Sequence, residues 1–76
     1  MNFREWLINE KQYSDRASRD VQSRLKRALV LSAEEEVSAE TLTKIESNIE
    51  FKGLSMSVKS QIRRAVKFYQ EYLLVK

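Results

Sequence analysis

Apolar side chains recur at intervals of three and four along most of the chain, the spacing that lines one face of an α-helix. The clearest stretch is SVKSQIRRAVKFYQEYLL, residues 57–74. Val58, Ile62, Ala65, Val66, Tyr69 and Leu73 form its apolar stripe, and the cations lie on the other side. A helix is predicted here, starting near Ser55 or Ser57. Three more helices follow from the same rule. The first spans about residues 2–12, with Phe3, Trp6 and Leu7 on one side. The second spans about residues 15–31, behind Ser14 as N-cap and with Asp15 placed well against the helix dipole. Its stripe is Ala17, Val21, Leu25, Ala28 and Leu29. The third spans about residues 39–50 after Ser38, with Leu42, Ile45 and Ile49 inward and Gly53 as its stop. Ser32 with Glu35 has the spacing of a capping box, which predicts a short extra turn.

Composition supports the helical reading. The chain has no proline and one glycine, too little punctuation for strands and turns. Seventy-six residues give one domain, residues 1–76, with room for one core. The expected fold is all-α, a compact four-helix bundle with short links. With no cysteine and no histidine, disulfides, thiolate metal sites and the commonest general base are excluded. Packing alone must hold such a core, on the order of 3–5 kcal/mol. No apolar run approaches a membrane span and no signal-peptide pattern opens the chain, so a soluble, cytoplasmic protein is expected.

Charge changes the picture. The net +3 hides a segregation. Residues 32–50 hold six acids and one cation, whereas residues 51–76 hold six cations and one acid. On the second predicted helix Arg16, Arg19, Ser23, Lys26 and Arg27 gather opposite the apolar stripe, with Arg24 at the flank. On the fourth, Lys59, Ser60, Arg63, Arg64 and Lys67 share the outward face, with Gln70 at its edge. Cations among serine and glutamine are the groups that contact phosphates and base edges. Five of the eight cations on these faces are arginine, which suits bidentate contacts. Any amphipathic helix turns its charges outward, so a solvated face is the plain alternative. Like charges at i, i+4, such as Lys59–Arg63, cost about 0.2–0.5 kcal/mol each when unpartnered, and a ligand would explain their retention.

Three segments, FREWLINEKQYS, SDRASRDVQSRLKRAL and SVKSQIRRAVKFYQEYL, give the chain a family likeness. Over roughly residues 3–74 it resembles the N-terminal core-binding domain of tyrosine recombinases, the phage-integrase type. The resemblance implies a SAM-like orthogonal bundle that lays its second and fourth helices against the major groove of duplex DNA. Carried over by position, it implies DNA contacts from Arg16, Arg19, Ser23, Lys26 and Arg27, and from Lys59, Ser60, Arg63, Arg64 and Lys67. It also implies a bacterial or phage origin, a recombinase partner and, weakly, a subunit contact at Phe3 and Trp6. The recombinase catalytic domain has no counterpart in the sequence, so strand cleavage by this chain is excluded.

Other residues read as structural. Tyr69 and Tyr72 fall on or beside the core face, and Trp6 reads as a core anchor. Phe68 and Tyr72 form a second aromatic strip expected to pack on the first helix. The carboxylates of Glu34, Glu35 and Glu36 do not converge as metal ligands would. With no phosphate loop and no nucleophile–base pair, neither an enzyme nor a cofactor nor a small-molecule substrate is expected. The competing expectation to DNA binding is a SAM-like protein-interaction or regulatory module, associating through its acidic third and basic fourth helices.

Overall fold

A computed structural model describes residues 2–76 and contains five helices: α1 Phe3–Glu10, α2 Asp15–Ser32, α3 Thr41–Glu46, α4 Ile49–Lys52 and α5 Met56–Val75. Four of the five starts are set by a polar side chain that accepts an otherwise unpartnered backbone N–H. Asn2 accepts from Glu5 N–H, Ser14 from Ala17 N–H, Asn48 from Glu50 and Phe51 N–H, and Ser55 from Val58 N–H.

The expected single third helix is two helices, so the count is five rather than four. Asn48 breaks it. Its backbone is extended (φ −76°, ψ 129°), and its side chain caps α4. Its Nδ2 also donates to the Leu31 carbonyl at the end of α2, at 3.0 Å. The break resets the register. Ile49, expected inward, is 84% exposed, while Phe51 is 1% exposed.

Two other expectations change at helix ends. No capping box joins Ser32 to Glu35, because α2 runs through Ser32 and that hydroxyl donates to the Leu29 carbonyl at 3.2 Å. α2 ends instead on Ala33, left-handed at φ 57°, followed by Glu34 N–H donating to Leu29 O at 3.0 Å. At the far end of α5, Leu73 is exposed and Tyr72 takes the buried position. Gly53 does end α4, with an ordinary φ of −83°. Ser38 acts before α3 rather than as its cap, accepting from Glu40 N–H at 3.1 Å.

α2 and α5 form the main interface and run antiparallel: Arg24 meets Gln61, and the later Arg27 shares a hollow with the earlier Val58. α3 lies on α2, and α1 crosses the α2/α5 pair. Leu7, Ile45, Phe51, Ile62 and Val66 are fully buried between them. Each such side chain contributes about 1.5–3 kcal/mol relative to exposure. Phe3, Trp6, Tyr69 and Tyr72 cluster where α1 meets α5, with Phe3–Tyr69 edge to face at 4.9 Å between centroids and Trp6–Tyr72 tilted at 5.8 Å. Phe3, Trp6 and Tyr72 are core, and the partly buried Tyr69 packs against them. The body is a slab of 34 × 22 × 14 Å. No described helix is long and apolar enough to cross a membrane.

Candidate nucleic-acid interface

Antiparallel packing of α2 against α5 leaves a groove where the two polar faces meet. Asp20, Arg24 and Arg64 line one end with Gln61, and Ser23, Arg24 and Arg27 line the other, again with Gln61. From Val58 to Arg64 the groove follows α5 for about 9 Å at 1.5 Å per residue. On the outer flank of α5, Ser60, Arg63, Arg64 and Lys67 border an adjoining hollow with Phe68. Arg64 therefore lines both.

The floor is organised by Arg24. Its Nε donates to Gln61 Oε1 at 2.7 Å, and its Nη1 donates to the Asp20 carbonyl at 3.1 Å. A guanidinium held at two points loses little further freedom on meeting a ligand. Neither Arg24 nor Gln61 was among the residues that sequence reasoning put forward. Helical spacing left Arg24 at the flank of its own helix, and nothing along the chain shows that Gln61 faces it.

The other cations separate into paired and unpaired ones. Arg19 pairs with Asp15 at 3.2 Å, and Arg4 meets the same carboxylate. Arg19 stays 66% exposed, so this pair is weak. Arg63 is engaged far more fully. Its Nε and Nη2 donate to the two carboxylate oxygens of Glu46 on α3, the Nη2 bond at 3.0 Å, and its guanidinium lies 5.3 Å from the Phe51 ring centroid. That hydrogen bond holds Glu46 below the usual carboxylate range and pushes Arg63 up. Lys59 sits on the same side, 5.9 Å over Phe51. Arg16, Lys26, Arg27, Arg64 and Lys67 make no ion pair among the described residues.

The ten residues expected to face DNA are thus not one surface. Ser23 and Arg27 of α2 line one end of the groove and Arg64 of α5 lines the other, and Ser60 and Lys67 share the adjoining hollow with Arg64. Arg16, Arg19 and Lys26 are exposed on α2 without lining the groove. Lys59 and Arg63 turn toward Phe51 and Glu46.

The acidic segment is also partly consumed within the chain. Glu34 accepts from Thr41 Oγ1 at 2.6 Å, Ser38 Oγ at 2.8 Å and Lys44 Nζ at 3.0 Å. Those bonds, Thr41 foremost, lower its carboxyl to about 2. Among the described residues no group of three or more carboxylates is gathered as a metal site. Comparison with protein-family models, with curated proteins and with solved structures returns no match to the chain.

Proposed function

We propose that the chain is a non-catalytic DNA-binding module whose contact surface is the α2/α5 groove. The observation that carries this reading is the convergence of Arg24, Arg27 and Arg64 from two helices onto one groove with Ser23 and Gln61. Among the described residues, Asp20 is the only carboxylate lining it. Three guanidiniums facing one concave strip repel one another without an anion, and a phosphodiester strand supplies anions at regular spacing. The resemblance to the core-binding domain of tyrosine recombinases supports the same helices, now as α2 and α5. The internal use of Glu34 and Glu46 weakens the alternative, association through an acidic third and a basic fourth helix.

Fluorescence anisotropy with a duplex of about 20–30 base pairs, titrated over salt, tests the reading. A slope of about 0.9 per phosphate contact predicts roughly three or four contacts from Arg24, Arg27, Arg64 and Lys67. Arg27→Glu with Arg64→Glu should abolish binding with helicity intact. Arg19→Glu, off the groove, should weaken it far less. Unchanged binding in the double variant would overturn the assignment.

A further inference from the structure

The groove does not end on charge. At the Arg64 end it is closed by Tyr13, and the adjoining hollow beside Arg64 is closed by Phe68. The two rings pack edge to face with centroids 5.7 Å apart, and both side chains are only half-buried. Three cations surround them. Arg64 lines the hollows of both rings, Lys67 borders Phe68, and the Lys11 ammonium, paired with Glu71 at 2.8 Å, lies 5.4 Å from the Phe68 centroid.

We infer that Tyr13 and Phe68 form a stacking subsite for one unpaired nucleobase, next to a phosphate held by Arg64 and Lys67. This rests on the groove being a nucleic-acid site. The chemistry follows from the juxtaposition. In a duplex the bases turn away from the backbone into the pair, so rings beside a phosphate-binding cation meet no base face. In a single strand the base swings free of the backbone, and a π-face becomes available for stacking. Every base has such a face, so the subsite gives a preference for unpaired over paired strands and little choice among sequences. Packing on the core accounts for the buried part of each ring. It does not account for both rings staying partly exposed beside Arg64 and Lys67.

The test uses the whole chain and three probes: a single-stranded 12-mer, the matching duplex, and the 12-mer with scattered abasic sites that keep every phosphate. Anisotropy at constant salt should show the single strand binding more tightly than the duplex. The abasic strand should lose roughly five-fold to a hundred-fold, the size of one lost base–aromatic stack. Phe68→Leu and Tyr13→Leu should each lower single-strand affinity by more than duplex affinity, so that the single-strand preference disappears. The abasic comparison needs no variant, so a variant that fails to fold does not blunt the test. Equal affinity for intact and abasic strands, with duplex binding retained, would overturn the stacking subsite and leave the groove standing. Absence of binding to all three probes would overturn both.

Discussion

Arg63 on α5 and Glu46 on α3 form a two-pronged ion pair across the helix junction, with the Arg63 guanidinium spread over the buried Phe51 ring. The arginine thereby clamps the short α3–α4 segment onto the longest helix. It belongs to the fold more than to the groove. Both side chains keep partial contact with solvent, so the clamp is open to salt.

Arg63→Ala and Glu46→Ala should each lower the melting temperature, and the double variant should lose less than the two singles added together. The coupling should shrink as salt rises. Arg63→Ala should reduce DNA affinity less than Arg64→Ala. Thermal melts at two salt concentrations and one binding titration check all three.

The position of the break before α4 makes a sharp contrast between neighbours. Phe51→Ala should cost about 3–5 kcal/mol, enough to unfold most of a domain this small. Ile49→Ala should change stability by less than about 0.5 kcal/mol. An uninterrupted helix over residues 39–50 would make Ile49 the costly position. Urea unfolding of the two variants separates the cases.

Asn48 caps two backbone amides and donates to Leu31 O. Asn48→Ala should therefore cost about 1–2 kcal/mol, more than its half-buried position alone implies. The urea midpoint should move with little change in slope.

Acid should loosen the link between α2 and α3. Glu34 has its carboxyl lowered from 4.5 to about 2 by Thr41, Ser38 and Lys44. The stability tied to that shift is fully present above pH 4.5. It is lost as the pH falls through about 2. In Glu34→Gln the melting temperature at neutral pH should drop, and its further decline across this acid window should be shallower than in the parent chain. Melts by circular dichroism at stepped pH measure both.

Ala33 holds a left-handed φ of 57° at the end of α2, where a Cβ is unfavourable. Ala33→Gly should stabilise by about 1 kcal/mol and raise the melting temperature by roughly 5 °C. Gly53 has the opposite geometry: φ is −83°, and an added Cβ would meet nothing nearer than 3.6 Å. Gly53→Ala should therefore also stabilise, by about 0.4–1 kcal/mol.

Local interactions made much of this protein legible along the chain. Spacing alone located α1, α2 and α5, because Phe3, Leu7, Val21, Leu25, Ile62 and Val66 repeat at the helical period. Ser14 announced its helix, and Ser55 was one of two candidate starts for α5, because a cap acts over three residues. The segregation of charge was equally plain. What required the tertiary structure was everything that joins residues distant in sequence. Asn48 breaks the helix because α2 ends beside it with a carbonyl to satisfy. Ser32 forms no capping box with Glu35 because α2 runs on through it, and the neighbouring Glu34 is instead held by Thr41, Ser38 and Lys44 from beyond the helix end. Arg24 and Gln61 form the groove floor only because α2 and α5 pack antiparallel in one register. A helical wheel ranks cations by angle about their own axis. Their partners lie on other axes, so packing decided which arginine is clamped and which is free.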